Sequence, residues 1–229
     1  MLSLTNSWSC DIWPHALRLR LGEQIVACHP REDEPLATGL AALLALRKRA
    51  LHWRDSVSFC LDTDDLAFGI QPWQPGITTP QELLKLAELL AIRERQGRWL
   101  TRFESAPFSE SALVARLKQT CWETLRTVAK QERLRFLGVT TPFQPLLRQY
   151  GKALPENGLF VTIGHQHSRI ASRLNHAWHE VSTLALPRVE MRQQLRIVAR
   201  LSGMADYPQY VINTDDGRPQ VILPQENRL

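Results

Sequence analysis

LFVTIGHQHSRIASRLNHAWHEV, residues Leu159 to Val181, is the stretch on which the fold turns. Its first five residues, Leu159–Ile163, form an apolar run that stops at Gly164. Ser168–Leu174 and Trp178–Leu186 follow as two more short runs, each bounded by turn-forming residues, so the segment reads as three strands joined by tight turns. Val189–Leu201 then has helical spacing and is closed by Gly203. Gln209–Ile212 reads as a strand and Gln220–Leu223 as a candidate for one more, with Asp215-Asp216-Gly217 as the hairpin turn between them.

The same order opens the chain. Leu2–Leu4, Ala16–Leu21 and Gln24–Cys28 read as three strands, and LRLRL (Leu17–Leu21) alternates with period two as a half-buried strand does. Leu36–Trp53 reads as a helix with Leu40, Leu43, Leu44 and Leu51 near one face, and Val57–Leu61 as the next strand. Strand-strand-strand-helix-strand therefore occurs twice, as a pattern and without detectable identity. An inserted block, about Leu66 to Glu132, separates the copies: a strand at Leu66–Ile70, a rigid bend at Pro72, Pro75 and Gly76, then a helix. Thr79-Pro80-Gln81-Glu82 has capping-box spacing with proline at the first helical position. Leu83, Leu84, Leu86, Leu89 and Leu90 follow with helical spacing up to Gly97. Trp99–Phe103 reads as a strand and Phe108–Glu132 as a long amphipathic helix with Leu113, Leu117, Cys121, Leu125 and Val128 on its apolar face. Leu134–Thr140 returns as a strand, and Pro142–Tyr150 as a short helix closed by Gly151.

A chain of 229 residues suits one large domain or two small lobes and can bury a core without disulfide or metal staples. Its 44% apolar and 22% charged residues are those of an ordinary globular protein. No run approaches the roughly 18 apolar residues of a membrane span, and the N-terminus lacks the basic and apolar regions of a signal peptide. The four cysteines (Cys10, Cys28, Cys60, Cys121) form no C-x-x-C pair and read as reduced thiols, which points to the cytoplasm. A net charge of +5 raises nucleic acid as a partner, but the arginines are spread over every segment with no basic run, which disfavours it.

Three antiparallel strands, a helix and a parallel strand, duplicated, resembles the actin-like ATPase superfamily: an α/β, two-lobed, ribonuclease H-like fold. A strand-helix-strand-helix insertion in the first lobe is similar to one branch, that of the pilus assembly protein PilM and the cytoplasmic domain of the type II secretion protein GspL. Ser56–Trp73, Thr79–Ile92 and LRFLGVTTPFQPLLRQY (Leu134–Tyr150) carry that likeness. It implies a first lobe over 1–150, with the insertion at about 66–132, and a shortened second lobe over 151–229.

The resemblance also implies phosphate turns, and the residues depart from them. The second lobe of active relatives begins with an apolar strand followed by an aspartate and a glycine that hold Mg²⁺ and phosphate. Thr162 stands where that aspartate belongs, before Gly164, and threonine brings no charge to a divalent cation. The matching turn of the first lobe is expected at Thr5, Asn6 and Ser7, which include no glycine, and the adenosine-binding Gly-Gly turn is reduced to Gly203. The expectation is a pseudo-ATPase with no cofactor, serving as a scaffold of a type IV pilus or type II secretion inner-membrane platform. Its partners would be the short cytoplasmic tail of a bitopic subunit or the assembly ATPase, reached from the cytoplasm, with a homodimer allowed. An active divergent ATPase and a basic nucleic-acid binder are the alternatives.

Other chemistry is weaker. His165 and His167, with His176 and His179 across the turns, form a sparse metal set without cysteine. Ser168 beside His167 lacks a nucleophile-elbow context. Asp62, Asp64 and Asp65 read as a solvated loop. Most of the seven tryptophans read as core, but Trp73, between Pro72 and Pro75, sits in a bend; Trp73, Pro75 and Ile77 are the candidate partner-binding residues, and Leu66–Trp73 could pair edge-on with a partner strand.

Overall fold

The computed structural model describes residues 6–31, 34–47, 55–94, 97–151, 154–164, 167–185, 190–213 and 219–223. The chain runs β1 (Ser7–Ile12), β2 (Ala16–Leu21), β3 (Gln24–Pro30), α1 (Leu36–Ala45), β4 (Ser56–Leu61), β5 (Leu66–Gln71), α2 (Pro80–Glu94), β6 (Trp99–Ser105), β7 (Ala112–Lys118), α3 (Gln119–Gln131), β8 (Arg135–Thr140) and α4 (Gln144–Tyr150). It continues through β9 (Gly158–Ile163), β10 (Ser168–Leu174), β11 (Ala177–Leu184), α5 (Met191–Leu201), β12 (Gln209–Asn213) and β13 (Pro219–Ile222).

The strands form a five-stranded sheet in the order β3-β2-β1-β4-β8, a second in the order β11-β10-β9-β12-β13, and a three-stranded sheet in the order β5-β7-β6. The two larger sheets repeat one plan. β1 pairs antiparallel with β2 and parallel with β4, and β9 pairs antiparallel with β10 and parallel with β12. The copies differ at the fifth strand. β8 joins β4 in parallel after the crossover through α3, whereas β13 folds straight back on β12 as an antiparallel hairpin.

Contacts gather the chain into two compact units. One comprises Met1–Ala67, Gly97–Leu100 and Leu117–Thr141; the other Phe68–Gln96, Thr101–Arg116 and Pro142–Leu229. In the first, alternation along the strands sends Trp8, Cys10, Ile12, Leu17, Leu19, Val57, Phe59 and Leu61 to a buried face. Leu40, Leu43 and Leu44 of α1 and Leu125 and Val128 of α3 complete this core. The other face of the sheet carries Ser9, Asp11, Arg18, Arg20, Ser58 and Cys60. Arg47 closes α1 by donating to the Leu44 carbonyl (2.6 Å) and to the Glu132 carboxylate (2.9 Å), so a guanidinium satisfies the helix end.

In the second unit, both faces of the sheet are apolar. Leu159, Val161, Ile163, Ile170 and Val211 pack with Leu195, Val198 and Ala199 of α5 and with Met204. On the opposite face Phe160, Ala171, Trp178 and Ile212 pack with Phe143, Leu146 and Leu113, and Phe68 and Ile70 of β5 lie against them. The inserted block, which chain order places with the first lobe, thus supplies part of this core.

Three elements differ from the sequence reading. Phe108–Glu132 is not one helix: Ala112–Lys118 is a strand and only Gln119–Gln131 is helical. Leu113 and Leu117 fit either period, and the run from Ala112 to Leu117 is buried throughout because β7 is the central strand of its sheet. A short continuous apolar run does not distinguish strand from helix. The first strand is Ser7–Ile12, while Leu2–Leu4 lies outside the described residues. The helix expected over Leu36–Trp53 ends at Ala45, where Leu46 is its C-terminal cap and the Leu46 N–H reaches the Leu43 carbonyl; residues 48–54 lie outside the described ones.

Candidate functional site

The shift of β1 moves the first phosphate turn. Thr5 lies outside the described residues; Asn6 and Ser7 precede or open β1 and form no turn. The Asn6 N–H donates to Asp55 Oδ1 (3.0 Å), its carbonyl accepts from the Ser56 N–H (2.9 Å), and Ser7 pairs with Ser56. The β1–β2 turn is instead Trp13-Pro14-His15.

Two residues before that turn stands Asp11, which the sequence reading missed. Aligning the duplicated strands by their ends sets Cys10-Asp11-Ile12 against Val161-Thr162-Ile163, so Asp11 holds in the first sheet the place Thr162 holds in the second. Each lies opposite an arginine, Arg18 for Asp11 and Arg169 for Thr162. The alternation Trp8-Cys10-Ile12 with Ser7-Ser9-Asp11 was the signal that could have found it.

Asp11 is buried and already engaged. Arg18 Nε donates to Oδ2 and Arg20 Nη2 to Oδ1, both at 2.8 Å. A carboxylate with one guanidinium on each oxygen has its charge neutralised locally, which weakens it as the hard oxygen ligand a divalent cation needs. The turn itself is closed. The Trp13 N–H donates to Ala16 O (2.9 Å), Arg31 Nη1 donates to the Trp13 carbonyl (3.1 Å), and the Arg18 guanidinium lies 4.5 Å over the Trp13 ring. The Trp13 amide that would face a phosphate in an open glycine turn is here committed, Pro14 has none to offer, and an indole stands in the glycine's place.

In the second sheet Thr162 is interior to β9, buried and paired in register with Arg169 and Ile212. The Gly164 N–H donates to the His167 carbonyl (3.1 Å), which shuts the β9–β10 connection; His165 lies outside the described residues. Gly203, at φ +67°, is a helix stop. Its N–H reaches Arg200 O and the Met204 N–H reaches Ala199 O (2.8 Å), the pattern of a left-handed C-terminal cap.

The described candidate histidines, His167, His176 and His179, lie on different parts of the sheet. His167 lies at the start of β10, whereas His176 sits beyond its end in a two-residue hairpin with Asn175, both at positive φ. His176 is 3.9 Å from Glu156, and His179 is exposed on β11. Among the described residues no group of three or more His, Cys, Asp or Glu side chains could hold a metal. Ser168 is buried in β10, paired with Ile163 and Leu184. The Asp62–Asp65 loop is only partly solvated: Asp64 is exposed, but Asp62 is buried, with its N–H on the Ile12 carbonyl, and Asp65 accepts from Lys118 Nζ at 2.7 Å, which raises the lysine's pKa.

On the inserted block, Trp73 is half-buried. Its indole N–H donates to Ile77 O (3.0 Å), and its ring lies 5.2 Å from that of Phe108, which is 70% exposed. Pro75 and Ile77 line one bank of an open groove of about 600 Å³ whose other bank is α2, through Glu82, Lys85, Leu86, Leu89 and Leu90.

Two five-stranded sheets of one order, each led by an antiparallel meander and a parallel return strand, define the actin-like ATPase fold. Within that fold the chain resembles PilM and the GspL cytoplasmic domain. It is similar to the cytoplasmic domain of EpsL, an inner-membrane component of the Vibrio cholerae type II secretion system, at 13% identity and a TM-score of 0.56, covering 91% of this chain and 82% of that one. It is similar to a structure of the PilM-PilN type IV pilus biogenesis complex at 14% identity and a TM-score of 0.57, covering 91% and 81%. A Bacteroides thetaiotaomicron protein with an actin-like ATPase fold and unknown function matches at 11% identity and a TM-score of 0.56, again covering 91% and 81%. No protein-family model and no curated protein matches the sequence.

Proposed function

We propose that the chain is a non-enzymatic scaffold of an inner-membrane type IV pilus or type II secretion assembly platform. One observation carries the proposal: the residue positions that would grip magnesium and phosphate are filled from within the chain. Asp11 is neutralised by Arg18 and Arg20, the turn beyond it is sealed by Trp13, and the equivalent second-sheet residue is Thr162. The solved structures it resembles include an inner-membrane secretion component and a pilus biogenesis complex, which gives the scaffold its context. No helix among the described residues is long and apolar enough to cross a membrane. The partners in this reading are the short cytoplasmic tail of a bitopic subunit and a neighbouring assembly ATPase.

The partner surface is the aromatic end of the inserted block. Trp73 and Phe108 offer a tilted pair of rings in contact beside the rigid Pro75 and Ile77 bend, the kind of aromatic anchor on which interface energy concentrates. Buried arginines support this reading over nucleic acid: Arg18, Arg47, Arg116, Arg169 and Arg173 are each no more than 7% exposed, so part of the positive charge belongs to the interior rather than to a basic face.

The test is recovery of partners by the tagged chain from cross-linked cells, compared with a Phe108→Asp variant. The scaffold account expects pilus or secretion inner-membrane subunits with the wild type and their depletion with the variant. Recovery of metabolic or ribosomal proteins alone would count against it.

A further inference from the structure

Helix α2 turns Leu83, Ala87 and Ala91, spaced by four, into the protein. A second stripe follows the groove side of the same helix: Glu82, Leu86, Leu89 and Arg93, at spacings of four, three and four. That is the seam spacing of paired helices. Leu89 is 62% exposed and Ile92 beside it 70%, so two turns of α2 present aliphatic side chains to solvent.

Reversed, the stripe is its own complement: acid, leucine, leucine, base in one direction and base, leucine, leucine, acid in the other. We propose that a second copy of this chain lays its own α2 antiparallel in this groove, about a two-fold axis passing between Leu86 and Leu89. Each Glu82 then faces the other copy's Arg93 and each Leu86 the other copy's Leu89, twice over, as an isologous contact requires. A parallel arrangement in register would set glutamate against glutamate and arginine against arginine, so the charges select the antiparallel one. Glu82 is also held in place for this role. Its Oε2 accepts from the Thr78 N–H (2.8 Å), the Thr78 hydroxyl (3.0 Å) and the Thr79 N–H (3.2 Å), which fixes the carboxylate at the N-terminal end of the seam.

The contact is small. A 15-residue helix is roughly 22 Å long. Even with Pro75 and Ile77 added, such a face falls short of the roughly 800 Å² per partner of a standard stable interface, so association of the free chain is micromolar or weaker. On a membrane platform that confines many copies, this weak contact would suffice, and a dimer would present two Trp73–Phe108 anchors at once. The inference stands apart from the platform reading, because it is tested on the purified chain alone.

The experiment is sedimentation equilibrium over about 10 to about 500 µM, spanning the range that a micromolar contact implies. The expected result is a mass rising toward twice that of the chain. Arg93→Glu should weaken association at least tenfold by placing two glutamates together, and Glu82→Lys with Arg93→Glu should restore it with the signs exchanged. Because Glu82 also caps α2, a second arm leaves it untouched. In a Cys28→Ser background, Leu86→Cys mixed with Leu89→Cys should form a disulfide-linked dimer faster than either variant alone. A monomer at every concentration, or cross-linking no faster in the mixture, overturns the proposal, as would a monomeric chain whose groove takes up only a partner peptide.

Discussion

Replacing Asp11 by alanine removes a buried carboxylate that accepts from two guanidiniums. Its side chain is 6% exposed and that of Arg18 is 9% exposed, so the Asp11–Arg18 pair lies inside the protein; Arg20, at 26%, reaches partly into water. Breaking a buried pair by deleting one partner costs about 3–5 kcal/mol, mostly because the surviving charge is left uncompensated. The account predicts a loss of that size for Asp11→Ala. It predicts only about 1 kcal/mol for Arg20→Ala, where solvent screens the change. Exchanging Asp11, Arg18 and Arg20 together for apolar residues of similar volume should cost less than Asp11→Ala alone, since no unpaired charge remains. Urea denaturation followed by tryptophan fluorescence is the assay, because Trp8 and Trp13 are buried on the same two strands and their connecting turn. A loss below about 1 kcal/mol for Asp11→Ala, or a larger loss for Arg20→Ala, would refute the view of Asp11 as an internally neutralised carboxylate.

Four further outcomes follow from the same structure. Burial is the chief cause that pushes the Cys60 and Cys121 thiols up to about 12, and it raises Cys10 further. Since the unfolded thiols ionise near 9, the unfolded state holds fewer protons above that pH, and stability should fall as pH rises from about 9 towards 12; a denaturation midpoint unchanged between pH 8 and pH 10.5 would contradict this. Exposed Cys28 should react with a maleimide in the native protein while Cys10 stays protected until unfolding, as read by mass spectrometry. Gly203→Ala should cost about 1–2 kcal/mol, because φ of +67° at the end of α5 suits no other residue as well; a neutral result in thermal unfolding would show that the cap relaxes. Phe160→Ala, at a position fully buried between Tyr210 and Trp178, should cost about 3–5 kcal/mol by denaturant titration.

Much of the fold was legible because its two sheets announce themselves locally. Short apolar runs separated by glycine, asparagine and proline gave β2, β3, β4, β9, β10 and β12 nearly to the residue, and the capping box at Thr79 to Glu82 marked the start of α2; the Glu82 N–H does donate to Thr79 Oγ1 at 3.3 Å. β7 was misread because its burial is continuous, and sequence periodicity carries no sign of a strand enclosed on both sides. The candidate site was less legible. β1 hides its alternation behind two serines, a tryptophan and an aspartate, so its turn was placed at Thr5 to Ser7 instead of Trp13 to His15. That error concealed Asp11, whose meaning depends on two arginines that only the β1–β2 register brings to it. The tryptophan of the Pro72–Gly76 bend could be singled out from its prolines, but its neighbour Phe108 is more than thirty residues away and joins it only through the fold.

The central claim, that an actin-like chain has filled its own phosphate turns, is tested most directly by isothermal titration of the intact protein with ATP at millimolar Mg²⁺. The account predicts no saturable heat and no magnesium dependence, with Asp11 still bound by Arg18 and Arg20. A one-to-one isotherm with a micromolar dissociation constant that vanishes on chelating the magnesium would contradict it.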